Sequence, residues 1–194
     1  AATVLAAALT GCATASVSDD EALSVVATAG YLADVVSQVA PGADVTTLVG
    51  PGGDPHTYQP STRDIQAILD ADLVVWNGLR LEAQMDEVLG GQGGRQLAVA
   101  ETLPHELLLP LPGKGADGKH LSDPHVWNSP AAWSLVVGDV ADRLAEIDPE
   151  AADEYRRNAE AFADRIAAAD RWAEDLLAAV PEADRILVTG HDAF

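Results

Sequence analysis

The chain has 194 residues, enough for one good-sized domain or for one domain and part of another, and its 48% hydrophobic and 22% charged content is that of a soluble globular protein. A net charge of −20, with 11 lysines and arginines against 31 acidic residues, argues against nucleic-acid binding, because phosphate contacts need clustered cations. Acidity favours solubility and attracts cations weakly; it does not define a site.

Residues 1–9 form an uncharged run rich in Ala and Leu, too short to span a bilayer, and read as the tail of a signal-peptide apolar region. The only methionine is Met85, so the true start is expected upstream. Leu9-Thr10-Gly11-Cys12 resembles a bacterial lipobox, in which the cysteine becomes the lipidated first residue of the mature protein. Cys12 is the single cysteine, so no disulfide can form within the chain. The alternative is a chance Gly-Cys in an apolar leader.

Residues 23–28 are β-branched and predict a first strand. After Gly30, apolar Leu32, Val35, Val36 and Val39 recur at helical spacing until Pro41-Gly42. Residues 44–49 predict a second strand. Pro51-Gly52-Gly53-Asp54-Pro55-His56-Thr57-Tyr58-Gln59-Pro60 follows, a loop whose glycines and prolines give it a set shape and so present His56 in a defined place. The alternative is that His56 is a solvated turn residue. Ser61 with Asp64 three residues on opens a helix as a variant capping box, and residues 72–77 have the continuous apolar character of a buried parallel strand. A short helix is expected over 82–89, stopped by Gly90 to Gly94, and a fourth strand over 96–100. Strands alternating with helices predict an α/β fold with a mainly parallel sheet.

Residues 103–121 hold three prolines and the two lysines of the chain and read as an exposed loop, with His105 and His120 solvated. Asp123-Pro124-His125-Val126-Trp127 ends that loop. Ser129-Pro130 then supplies an N-cap with proline at the first helical position, for a helix to about Ile147. Asp148-Pro149-Glu150 repeats the start signal for a helix to about Val180, with Tyr155, Ala159, Phe162, Ile166, Ala169, Ala173 and Leu176 on one stripe. About thirty residues at 1.5 Å each reach about 45 Å, long for one compact domain and suited to a spine between two lobes; the alternative is one arm of a helical hairpin. Residues 185–189 predict a further buried strand, and Gly190-His191-Asp192-Ala193-Phe194 follows.

His56, His125 and His191 each stand in a defined motif where an α/β loop opens toward its next element, and ligands of open α/β sheets bind outside the carboxyl ends of strands. Three neutral imidazoles converging there would suit a divalent transition metal such as Zn²⁺. Their separations of 69 and 66 residues match no local metal motif, so spacing alone cannot establish the site.

Asp54 to Pro60, Asn77-Gly78-Leu79 with Glu82, Asp123 to Trp127, the helix start from Asp148-Pro149 to Tyr155 and Asn158, and Val188-Thr189-Gly190-His191-Asp192-Ala193-Phe194 together resemble the substrate-binding lipoproteins of zinc and manganese ABC transporters. With the lipobox these motifs cover nearly the whole chain in family order. The resemblance implies an α/β, two-lobed periplasmic-binding-protein-like fold, its mainly parallel sheets joined by one long rigid helix, with the C-terminal lobe mostly missing. Residues 1–11 would be the signal-peptide remnant, 12–22 the lipobox cysteine and linker, 23–147 the N-terminal lobe, 148–181 the connecting helix and 182–194 the start of the second lobe.

The same resemblance implies metal in the cleft, with His56 and His125 as N-lobe ligands and His191 as the first C-lobe ligand. A fourth ligand, a carboxylate or water, would lie beyond Phe194. Histidine at 191, where manganese-selective members often carry Glu, leans toward Zn²⁺ over Mn²⁺, whereas the shortened loop from Leu109 to His120 leans the other way. Gln59 stands where Glu is usual, and Asn128-Ser129 replaces a Leu-Asp pair. The implied protein is a monomer, lipid-anchored outside the cytoplasmic membrane, that delivers metal to an ABC permease. Asp54, Asp123 and Asp192 are the sequence neighbours able to support the imidazoles from behind. Two rival readings are a zinc hydrolase with Glu82 or Glu101 as general base and a metal-independent adhesin or interaction module.

Overall fold

A computed structural model describes residues 22–115, 118 and 120–191. Cys12 and the leader before it, and the Asp192 to Phe194 end of the last motif, lie outside the described residues.

Four strands, β1 (Ser24–Ala29), β2 (Asp44–Val49), β3 (Leu73–Trp76) and β4 (Gln96–Ala98), form a sheet in the order β2-β1-β3-β4, parallel throughout. Successive side chains alternate between its faces. Val25, Ala27, Leu73 and Val75 point to one core, with α1 (Gly30–Val39), α4 (Pro130–Ile147) and α5 (Ala152–Ala178). Val26, Val74, Trp76 and Ala98 point to the other, with Ile68 of α2 (Thr62–Asp70) and Leu89 of α3 (Asp86–Gly90). A sheet covered on both faces explains why β3 reads as a continuous apolar run.

The local signals act as their chemistry requires. Ser61 and Asp64 form a reciprocal capping box at α2. The Ser129 hydroxyl accepts the Ala132 N–H, with Pro130 inside the first turn of α4. On α4, Ala132, Trp133, Val136, Val137, Val140, Ala141, Leu144 and Ala145 form the buried stripe; each large side chain among them contributes about 1.5–3 kcal/mol by leaving water.

Four expectations are corrected. The segment from 82 begins as turns, and α3 starts only at Asp86. Strand β4 stops at Ala98, because the chain turns into a 3-10 segment (Val99–Glu101) where the Ala100 N–H donates to Asn77 C=O. The loop over 103–121 contains an antiparallel hairpin, β5 (Pro110–Lys114) with β6 (His120–Ser122); it is largely exposed, as are His105 and His120. Residues 185–189 form no strand: Ile186, Leu187 and Val188 are exposed, Val188 to 87%, and among the described residues none pairs with a neighbouring strand. A strand requires a partner for its N–H and C=O groups as well as a β-branched run.

Helix α5 is two-natured. Tyr155, Ala159 and Phe162 are buried against the core, Asn158 Nδ2 donates to Val39 C=O (2.9 Å), and Arg165 donates to Gln38 Oε1 (2.8 Å). Beyond Ile166 the stripe emerges, with Trp172 67% exposed and Leu176 and Leu177 exposed beside it. Among the described residues no helix is long and apolar enough to cross a membrane.

Candidate metal centre

The tripeptide Asp-Pro-His occurs twice, and both copies fold the same way locally. The residue before proline is pushed to extended backbone, and proline has no N–H, so the next amide is that of the histidine. Asp54 Oδ1 accepts the His56 N–H at 2.9 Å, and Asp123 Oδ1 accepts the His125 N–H at 2.9 Å. These are Asx turns, and each fixes the backbone from which an imidazole projects.

Each loop is then tied to the sheet by different means. After β2 the first loop folds tightly, with the Gly53 N–H on Gly50 C=O (3.0 Å) and the Thr57 N–H on Asp54 C=O (3.2 Å). A Cβ on Gly53 would stand 2.7 Å from Val49 Cγ1, so only glycine fits that approach. The far end is held by the Tyr58 hydroxyl, which donates to Asp64 Oδ2 at 2.9 Å.

The second loop is held from beneath. Asn77, just past β3 and fully buried, donates from Nδ2 to Pro124 C=O at 2.8 Å, and the Asp123 N–H donates to Leu109 C=O at 2.8 Å. Asn77 is itself fixed by Glu82, whose Oε1 accepts the Asn77 N–H (2.8 Å) and the Thr28 hydroxyl (2.7 Å) while Oε2 accepts the Gly78 N–H (3.1 Å). To return Glu82 to the strand ends, the chain passes through three successive left-handed residues, Gly78, Leu79 and Arg80, with φ of 82°, 51° and 67°. Such conformations cost free energy outside glycine and persist where surrounding bonds over-determine them. Burial pushes the Glu82 carboxyl above its ordinary value, with the hydrogen bonds it accepts pulling the other way.

These two loops bring the imidazoles together, and the exposed segment after α5 brings the third. His56 Nε2 lies 3.2 Å from His125 Nε2, and His191 Nε2 lies 3.0 Å from the same atom. All three ligand atoms fall within 4.8 Å of one another, and among the described residues this is the group of three or more His, Cys, Asp or Glu so gathered. Nitrogens bound at about 2.0–2.1 Å on tetrahedral corners stand about 3.3 Å apart, so the donor set is sized for a small divalent ion. Burial lowers the pKa of His56 below its ordinary 6.5, opposed by Asp54 and reinforced by the other two imidazoles, which keeps a lone pair available at neutral pH.

The three rings line a cleft of about 380 Å³ together with Gly53, Asp54, Pro55 and Trp127. Trp127 is edge-on to His125 (5.2 Å between centroids) and stacked on Tyr31 (4.3 Å), which meets Trp133 edge-on. A larger open groove of about 1210 Å³ lies at the amino ends of β1 and β2 and contains no imidazole. Volume there is a poor guide, since the convergent nitrogens are elsewhere.

All three candidate ligands from the sequence are thus in one place. Asp123 also reaches the ring of its histidine, through Oδ1 to Nδ1 at 2.7 Å, whereas Asp54 spends its other oxygen on the Thr57 hydroxyl (3.3 Å). Glu82, weighed as a general base, is buried in the network beneath the loop. The supporting role of Asn77 and the Tyr31–Trp127–Trp133 stack were not foreseen. The signals for Asn77 were a polar residue directly after a buried strand and its place in the Asn77-Gly78-Leu79 motif with Glu82; neither gave its bond to the His125 loop.

The sheet order, the helices on both faces and the long helix leading away place the chain among the periplasmic-binding-protein-like α/β proteins. Residues 25–194 match the family described as zinc-uptake complex component A, periplasmic (ZnuA), and the chain belongs to that family. It is 38% identical over 192 residues to the manganese-binding lipoprotein MntA of Bacillus subtilis (strain 168), covering 96% of this chain and 61% of that protein. To the iron-binding protein YfeA of Yersinia pestis it is 33% identical over 166 residues, covering 86% of this chain and 49% of the relative. The solved structure of the periplasmic zinc-binding protein TroA from Treponema pallidum superposes with a TM-score of 0.81 at 34% identity, over 89% of this chain and 61% of that one. The chain therefore spans about half to three fifths of the length of these relatives.

Proposed function

We propose that this chain captures a divalent transition metal outside the cytoplasmic membrane, through His56, His125 and His191, for delivery to an ABC transporter permease, and that it acts as a binding protein and not as an enzyme. The observation that carries the reading is the convergence of one ring nitrogen from each of three imidazoles within 4.8 Å, beyond the carboxyl ends of parallel strands. The metal is cargo: it exchanges its water shell for imidazole nitrogens. Zn²⁺ is the leading candidate and Mn²⁺ the alternative; relatives named for zinc, manganese and iron support a first-row metal without choosing among them.

Residues 23–147 act in this reading as the lobe that carries His56 and His125, 148–181 as the connecting helix, and 182–194 as the start of a second lobe whose first ligand is His191. Cys12 is the lipid-attachment residue of a monomeric protein held at the outer face of the membrane. Relatives named as lipoproteins support that placement.

A competition titration of Zn²⁺ and Mn²⁺ into the protein, beside His56→Ala, tests the reading. Tight binding that collapses in the variant is expected, and the ratio of the two affinities names the cargo. Equal binding by the variant and the parent would remove the three-histidine site.

A further inference from the structure

We propose that Asp123 is the positioning residue that presets His125 for metal capture, by holding its Nδ1–H and so leaving the Nε2 lone pair facing His56 and His191; the inference rests on the capture reading above.

The argument starts from one oxygen. Asp123 Oδ1 accepts the His125 backbone N–H at 2.9 Å and meets the His125 ring Nδ1 at 2.7 Å. A backbone amide can only donate, and an ionised carboxylate can only accept, so the ring nitrogen on that oxygen is a donor. A neutral imidazole carries one N–H; with the proton on Nδ1, Nε2 has the lone pair. The His125 side chain is only 8% exposed, so water competes poorly for either nitrogen.

His125 is also the central member of the three, since its Nε2 is the atom that both other Nε2 atoms approach, at 3.2 and 3.0 Å. A wrong tautomer there would place a hydrogen where the metal must sit. The backbone that carries the pair is pinned independently, by Asp123 N–H on Leu109 C=O and by Asn77 Nδ2 on Pro124 C=O. Asp54 occupies the same place in the other Asp-Pro-His tripeptide but turns its second oxygen to Thr57, so local sequence alone does not produce the ring contact. Carboxylates behind a ligating imidazole orient it and raise its basicity, and their loss typically costs about 10–100-fold in metal affinity.

The test has two readouts on the full chain. Long-range ¹H–¹⁵N spectra of the metal-free protein report which nitrogen of His125 carries the proton, and Zn²⁺ competition reports affinity. The parent is expected to show the Nδ1–H form. Asp123→Ala is expected to shift His125 toward Nε2–H and to weaken Zn²⁺ binding about 10–100-fold. Asp123→Asn, nearly isosteric and uncharged, guards against a folding defect and is expected to fall between the two. Asp123→Ala or Asp123→Asn with the parent's tautomer and the parent's affinity would overturn the proposal. If the parent itself binds no Zn²⁺, the capture reading fails, and the tautomer comparison still decides whether Asp123 sets the ring.

Discussion

The two Asp-Pro-His loops are a natural experiment within one molecule. Both tripeptides make the same Asx turn, with the same 2.9 Å bond from the histidine N–H to the aspartate. They differ in what lies beneath. The loop around His56 is braced by its own chain, through the Gly50–Gly53 turn and the Tyr58–Asp64 bond to the next helix. The loop around His125 is braced by residues 47 positions away in sequence, where Asn77 holds Pro124 and Glu82 holds Asn77. Identical local chemistry therefore yields one self-supporting histidine loop and one supported from beneath by Asn77 and Glu82.

That contrast predicts unequal responses. His125→Ala removes the central nitrogen and should lower Zn²⁺ affinity more than about 100-fold, beyond the loss from any outer partner. His191→Ala, which removes a nitrogen at the edge of the group, should cost less; a titration of both variants in which His191→Ala is the more damaging would reverse the assignment of the central position.

Acid should act next. Burial holds the folded pKa of His56 below its unfolded value, so the contribution of its neutral form to stability is complete above that unfolded value. It is lost as pH falls through the folded value, and protonation of the imidazoles is expected to release metal held there. Zn²⁺ affinity measured by competition is expected to drop more than about tenfold from about pH 7.5 to about pH 5.5. A flat profile would mean that the imidazoles are not the ligands.

Asn77→Ala removes one of the two donors on the Pro124 carbonyl, which keeps the Val126 N–H, and leaves buried space, and should destabilise the chain by about 1–3 kcal/mol in chemical denaturation. Gly53→Ala brings a methyl group to 2.7 Å from Val49 and should cost about 1–3 kcal/mol. The two should separate by ring: NMR shifts of His125 move in the first variant and those of His56 in the second. Tyr58→Phe, which loses only the hydroxyl bond to Asp64, is the smallest, at about 0.5–1.5 kcal/mol.

The fold was legible wherever the signal was local. β2 and α4 lie where their residue patterns place them, because a short β-branched run and capping chemistry are written in consecutive residues. Residues 185–189 carry an apolar run like that of β3, yet among the described residues they pair with no strand, since pairing is a property of two segments. The hairpin of β5 and β6 was hidden by its prolines and glycines, which spell a loop.

The sequence by itself determined the alternation of strands and helices, the ends of the capped helices, and which histidines stand in defined motifs, because each depends on side chains within a few positions of one another. Tertiary structure alone decided that nitrogens 69 and 66 residues apart share one 4.8 Å cluster. It also decided that Asn77 and Glu82 serve the His125 loop, and that of two identical tripeptides only the second turns its carboxylate onto the ring. The physical reason is the same in each case: a hydrogen bond or a coordination shell depends on distance in space, and parallel sheet order brings together loops that the chain keeps far apart.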